Sequence, residues 1–390
     1  MSKDRYSARG VSAGKEDVHK AIKHIDKGLF PLAFCKILPD AVGGDSTMCN
    51  IMHADTAGTK PSLAYLYWKE TGDISVWKGI VQDSLVMNLD DMACVGCLQD
   101  IVISSTIGRN SKYITGEVLS VLIQSAIEFL EEMGGHGIRV HHAGGETADV
   151  GDIVRTVDVG FTTFGRMKKD DLVINDIQAG DVIVGFASFG QASYESEYNG
   201  GMGSNGLTSA RHDILHHEYA DKYPESYEPN LPKDLVYSGT KKLKETIQIG
   251  DQEIPIGKLI LSPTRTYLPV IKDMLNQYKN SITGMIHCTG GAQTKVLKFI
   301  SGKHVIKDNL FANVPLFDLI QLESNTEWQE MYKVFNMGHR LEVYCKPEVA
   351  EDLIRISKSY QIDAKIIGRV EESEENKVSI LSSHGEFLYE

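Results

Sequence analysis

"MCNIMHADTAGTKP", Met48 to Pro61, decides how this chain is read. Its first seven residues are mostly apolar and predict a strand. That strand runs into Asp55, a stretch of small residues, Thr59, Lys60 and a proline. An acid, flexible small residues and a base at a strand end are parts that can grip a phosphate and its metal ion. The same string also suits an ordinary solvated turn, so the residues around it must separate the two readings.

Working outward, strand and helix patterns alternate. "ISVWKGIVQDSLVMNLDDMACVG" (74–96) predicts a long helix, "LQDIVISSTIG" a strand, and "YITGEVLSVLIQSAIEFLEEMGG" a second amphipathic helix. "IRVHHAGG" and "IVRTVDVGFTTFG" predict further strands, and "GKEDVHKAIKHIDKG" (14–28) a helix before them. The alternation implies a mixed α/β domain over 1–166. Polar "MKKDDLVINDIQAGD" then marks a boundary, and a second α/β domain follows over 167–390. There "VIVGFAS", "ITGMIHC", "FNMGHRLEVYC" and "AKIIGRV" predict strands. "LTSARHDILHH", "PTRTYLPVIKDMLNQY" and "PEVAEDLIRISKSY" predict helices, the second with an internal proline, and 218–257 reads as an irregular excursion.

Composition narrows the function. The chain has 390 residues, 42% hydrophobic and 24% charged, which suffices for a sizeable core in each half. Forty Lys and Arg stand against 53 acids, a net charge of -13. No basic block opposes a nucleic-acid backbone, so no nucleic-acid partner is expected. No window approaches 18 uninterrupted apolar residues, so no membrane span is expected either. The first twenty residues lack the apolar core of a signal peptide. With six cysteines, this leads us to expect a cytoplasmic protein with reduced thiols. Cys94 and Cys97 form a lone CxxC that suits buried helix-end thiols better than zinc.

"GMGSNG" (201–206) fits GxGxxG, but a dozen polar residues separate it from the preceding strand, which argues against a dinucleotide turn. No P-loop pattern occurs. "GSNGLTSAR" offers a helix start that favours an anion, or a plain N-cap. His212 and His216 lie one turn apart beyond it, as a metal pair or, with His217, as solvent-facing side chains. "AGGETAD" (143–149) combines two glycines with Glu146, as a ligand loop or a capped turn. "MNLDDMA" sets Asp90 and Asp91 on a helix amid apolar residues, with Asp83 two turns earlier; such carboxylates need a partner, and magnesium is the usual one. "MIHCTGGAQ" (285–293) brings His287, Thr289, Gly290 and Gly291 to a strand end. A histidine there can bond a phosphate or shuttle a proton, or serve structure alone.

In order, "YSARGVSAGKEDV", "DTAGTK", "NLDDMA", "AGGETAD", "GSNGLTSAR", "SPTRTYLPV", "HCTGG" and "EMYKVFNMG" resemble the phosphoribosylformylglycinamidine cyclo-ligases, or AIR synthetases, from about Tyr6 to past Gly338. The resemblance implies an AIR-synthetase-like fold of two α/β domains, dimerising through the N-terminal sheets. It implies ATP and Mg2+ bound without a P-loop, and ring closure of formylglycinamidine ribonucleotide. Asp55, Asp91 and Glu146 are implied as magnesium ligands, and Asp55, Lys60, Asp91 and His287 as catalytic, with Lys60 facing the phosphates. Thr59, Gly144, Gly145, Glu146, Thr147, Thr289, Gly290, Gly291 and Asn336 are implied around ATP, and Ser204, Asn205, Gly206 and Arg211 around the substrate.

The chain also departs from that pattern. "GLFPLAFCKILPDAVGG" stands where the family has a glycine-rich loop, leaving Lys36 as the candidate lysine there. Gly203 replaces the usual histidine and Ala292 the third glycine of "TGGG", and the asparagine and arginine expected beyond it are missing. Cys35 beside Lys36 keeps a selenophosphate-synthetase-like reaction open as the alternative, and the altered loops a non-catalytic ATP-binding relative.

Overall fold

The computed structural model describes residues 8–11 and 20–390, so the expected helix over 14–28 and the motif starting at Tyr6 lie partly outside the described residues. Two sheets organise the rest. The first joins β1 (Ile37–Pro39), β2 (Met48–Thr56), β3 (Ile101–Arg109), β4 (Val140–Asp149) and β5 (Val157–Lys168) in the order β1-β2-β5-β3-β4. Helices α1 (Lys60–Thr71), α2 (Val76–Ala93) and α3 (Gly116–Gly135) accompany it; α2 packs on β2 and β5, and α3 packs on α2.

The second sheet has seven strands: β6 (Val182–Ala187), β9 (Ile282–His287), β10 (Lys303–Lys307), β11 (His339–Cys345), β12 (Ala364–Glu372), β13 (Lys377–Ser382) and β14 (Gly385–Tyr389). Their order is β14-β13-β10-β12-β6-β11-β9, antiparallel except where β10 meets β13. Between β6 and β9 come α4 (Leu207–Ile214), α5 (Glu218–Lys222), the hairpin β7 (Thr246–Ile249) and β8 (Gln252–Pro255), α6 (Ile256–Leu261) and α7 (Leu268–Tyr278). Helices α8 (Pro315–Ser324), α9 (Trp328–Val334) and α10 (Ala350–Ser359) complete the chain, a mixed α/β fold as expected.

Every residue of α2 is buried except Lys78 and Gln82. A helix apolar on nearly all sides is covered on nearly all sides, and α2 is: the first sheet lies on one flank and residues 262–267 on another. Those contacts reach its buried acids. Thr264 donates its backbone N–H and its hydroxyl to Asp83 Oδ1, and Asp90 accepts from the Thr266 hydroxyl and the Tyr267 backbone N–H. Asp90 is thereby a tie between the sheets.

Four local expectations change. The proline helix begins at Leu268, with Pro269 in its first turn, because a proline costs nothing where the N–H would be unpaired anyway. The helix from 207 ends at Ile214, three residues short of the expected end. "AGGETAD" continues strand β4 instead of forming a turn after it. The excursion 218–257 contains a two-stranded hairpin.

Candidate functional site

β2 points His53 at α2. Its Nδ1 stands 3.1 Å from Asn88 Oδ1 and its Nε2 3.3 Å from Asp91 Oδ2. The Asn88 amide nitrogen donates to the carbonyls of Asp55 and Ser84, so its Oδ1 is left to accept. His53 therefore faces two acceptors, which favours the imidazolium. Burial pulls its pKa down, but the bond to Asp91, the Asp91 charge, the Asn88 bond and the Asp55 charge together outweigh it and the net shift is upward.

The other oxygen of Asp91 accepts from His287 Nδ1 at 2.7 Å. A carboxylate only accepts, so Nδ1 carries the proton and His287 presents an Nε2 lone pair, which has no partner. Burial pushes the His287 pKa down to about 4 against the pull of Asp91, so the ring is neutral near pH 7. Burial would raise Asp91, yet the Lys295 charge and the two histidine bonds hold its carboxyl well below the usual range.

Lys295 was not singled out in the sequence. It lies on the 3-10 turn Ala292–Lys298, donates to the Thr289 hydroxyl and stands 4.7 Å from the centre of the Phe34 ring. The run "TGGAQTK" carried the signal, because a lysine six residues past Thr289 returns toward it on such a turn. Gly291 at φ +91° makes the reversal that the turn needs.

Other loops meet here. The Thr59 hydroxyl is 2.8 Å from that of Thr208 on α4. A Cβ placed on Gly290 would lie 3.6 Å from the Asn205 side-chain nitrogen. Ser204 Oγ is buried without a partner. The structure thus brings together Asp55, Thr59, Asp91, Ser204, Asn205, Gly206, His287, Thr289, Gly290 and Gly291.

Some expected residues stand elsewhere. Lys60 is fully buried; its ammonium donates to Asp83 Oδ1 at 2.8 Å and to the Ser262 carbonyl at 2.5 Å, and does not face a phosphate. Arg211 is buried against the Ser226 carbonyl and the Tyr237 hydroxyl. Asn336 uses its side chain on Ser188, Gly201 and Gly338. Lys36 is exposed, 3.6 Å from Asp26. Cys35 is buried with its thiol 3.1 Å from the Asp91 carbonyl, and burial raises its pKa. His212, expected in solvent, is buried and accepts from the Tyr237 N–H.

Gly144, Gly145, Glu146 and Thr147 lie exposed on β4, the strand at the sheet edge. The register aligns Thr56, Gly160, Thr106 and Glu146 in one row across four strands. Three interstrand steps separate Glu146 from the Asp55 end, about 14 Å at the usual spacing. Glu146 of this chain therefore does not share an ion with Asp55.

A second buried group sits behind the glycine loop. Cys288, His339 and Glu342 bring donor atoms within 4.8 Å of one another. Lys307 pairs with Glu342, which also accepts from His339 at 3.0 Å and Tyr344 at 2.7 Å. An ammonium already on the carboxylate leaves it a poor cation site.

The overall fold recurs in solved structures. The HypE-HypF complex matches with TM-score 0.54 at 15% identity, over 97% of this chain and 99% of that one. Thermotoga maritima PurL complexed with ADP matches with TM-score 0.52 at 14% identity, over 98% of this chain and 50% of that one, so this chain spans half its length. These establish the fold class. The particular family comes from sequence: residues 40–167 match the AIR synthase related protein N-terminal domain and 178–380 its C-terminal domain, and the chain belongs to that family. The phosphoribosylformylglycinamidine cyclo-ligase of Methanocaldococcus jannaschii is 29% identical over 295 residues, 75% of this chain and 71% of that protein.

Proposed function

We propose that the chain is an enzyme that closes the imidazole ring of aminoimidazole ribonucleotide from formylglycinamidine ribonucleotide, using ATP and releasing ADP and phosphate. The observation that carries this reading is the meeting of Asp91, His287, Lys295 and the 204–206 and 289–291 loops at one junction. The formyl oxygen is a poor leaving group, so it takes the γ-phosphoryl group of ATP while ADP departs. The amidine-side nitrogen then attacks the formyl carbon, and the carbon–oxygen bond breaks to expel phosphate.

Phosphoryl transfer is governed by positioning and electrostatics. Lys295, held at Thr289, supplies positive charge, the role that the sequence assigned to Lys60. His287 is neutral with its Nε2 lone pair available, and accepts the proton that the attacking nitrogen loses. Asp91 holds the His287 tautomer and orients the ring. Asp55 and Asp91 offer the hard oxygens that magnesium prefers and are its proposed ligands, with Asp91 giving up its His53 contact on Oδ2 to take the ion; bound there, it would neutralise phosphate charge. The 204–206 loop receives the substrate phosphate.

The chain divides into a first-sheet domain (1–166) and a second-sheet domain (167–390), and a homodimer forms through the first sheet. Support comes from the outer face of that sheet, which exposes Met52 (61%) and Val102 (39%), and from β4, bare along its edge. Among the described residues no helix is long and apolar enough to cross a membrane. Incubation with formylglycinamidine ribonucleotide and Mg-ATP should yield the aminoimidazole product. Its absence under conditions where the protein is folded overturns the assignment. A light-scattering mass near 43.2 kDa at micromolar concentration overturns the dimer.

A further inference from the structure

We propose that Arg340 binds the phosphomonoester of the substrate, from the space that a side chain at position 203 would otherwise fill. This rests on the reading above and assigns its specificity to a residue outside the family pattern that led to it. Arg340 is the second residue of β11 and is only 2% exposed. A Cβ on Gly203 would collide with its Nη1, so the guanidinium lies against the backbone just before Ser204 and Asn205. Gly203, with φ +68°, is therefore required twice, for its conformation and for the room it leaves.

A buried guanidinium needs an anion. Among the described residues Arg340 has none in contact. Its Nη2 donates to the Arg265 carbonyl at 3.3 Å, and its Nε has no partner. Asp83 and Asp90 are close enough to feel its charge, but neither makes an ion pair with it. Asp83 takes Lys60 and Thr264 on Oδ1 and keeps an unpartnered Oδ2 out of hydrogen-bonding reach of the guanidinium, and Asp90 takes Thr266 and Tyr267. The neighbouring Ser204 Oγ is likewise buried and unpartnered. Two unsatisfied donors beside the first turn of an eight-residue helix, α4, form a receptor for a small, multiply charged oxyanion. The guanidinium fork matches phosphate oxygens, where a lysine would offer one point charge.

The test compares formylglycinamidine ribonucleotide with its dephosphorylated nucleoside in steady-state turnover, and titrates inorganic phosphate calorimetrically. Arg340→Met should raise the KM for the ribonucleotide by about 30-fold or more, leave kcat within about threefold, and leave turnover of the nucleoside unchanged. It should also abolish phosphate binding. Equal effects on both substrates, or an unchanged KM, overturn the proposal and leave Arg340 a structural charge. If neither substrate is turned over by the parent protein, the functional reading fails, whereas phosphate binding lost in the variant still upholds Arg340 as an anion receptor. Arg340→Lys keeps the buried charge should the Met variant not fold; it should weaken phosphate binding about tenfold through loss of the fork, and unchanged binding in it overturns the proposal.

Discussion

His287 and Cys288 are neighbours in the chain, yet each belongs to a different buried cluster. His287 joins Asp91, His53 and Lys295; Cys288 lies by Glu342, His339 and Lys307. Both clusters combine a buried carboxylate, a histidine and a lysine. They differ in where the lysine stands. Lys307 touches Glu342 and is itself held by the carbonyl and side-chain oxygen of Gln293, so that cluster is closed. Lys295 acts on Asp91 through space from its seat on Thr289. Residue types match, but Lys307, His339 and Glu342 are fully buried whereas His53 and Lys295 are half-buried; on the proposed function, the pairing left unmade is what separates the reactive centre from a strut.

The largest expected effect tests the open cluster. Asp91→Asn should lower kcat by about 10^3-fold or more with magnesium present while the protein stays folded, because the amide oxygen still accepts from His287 Nδ1 and the half-buried His53 can shed its proton. Near-normal turnover would move the centre elsewhere. The mirror experiment is Glu342→Gln, which should lose about 3–5 kcal/mol in chemical denaturation by stranding Lys307, with normal turnover in the folded fraction. A loss of kcat without a loss of stability would erase the distinction between the clusters.

Acid titration sharpens the contrast. Burial alone would raise Glu342, but the Lys307 charge and the His339 bond outweigh it and hold its carboxyl at about 2. A depressed carboxylate contributes stability above its unfolded pKa, near 4.3. That contribution should fade as pH falls from there through about 2, and unfolding curves of Glu342→Gln should lack this limb. Lys295→Met should lower kcat/KM for ATP by about 10^2-fold with little change in stability. An unaltered value would return the phosphate-facing role to another cation.

Cys35→Ser marks the small end. The thiol is a packing group against the Asp91 carbonyl, so a cost of about 1 kcal/mol and unchanged turnover of the ribonucleotide are expected. Activity found only with selenide, and lost with the thiol, would favour the alternative reaction.

Element order and most strands were legible because their apolar periods are strong, as in α3 and β3. The glycine loops and Asp91 were legible as a series of motifs. Lys60 misled because a lysine after an acid loop looks alike in sequence whether it meets a phosphate or Asp83, and Asp83 lies 23 residues away. Glu146 misled because a motif carries no strand register. Arg340 was invisible for a related reason: its setting depends on an absent side chain at Gly203, 137 positions earlier, in the loop after the neighbouring strand β6.

The ties along α2 have a mechanical consequence. Asp83 to Thr264 and Asp90 to Thr266 and Tyr267 are rivets set along one side of a beam, and Lys60 at the start of α1 adds a third by holding both Asp83 and Ser262. A protease that nicks the connector between β5 and β6 should therefore yield two fragments that remain together through gel filtration and separate only in denaturant. The same rivets leave no room for a hinge between α2 and residues 262–267.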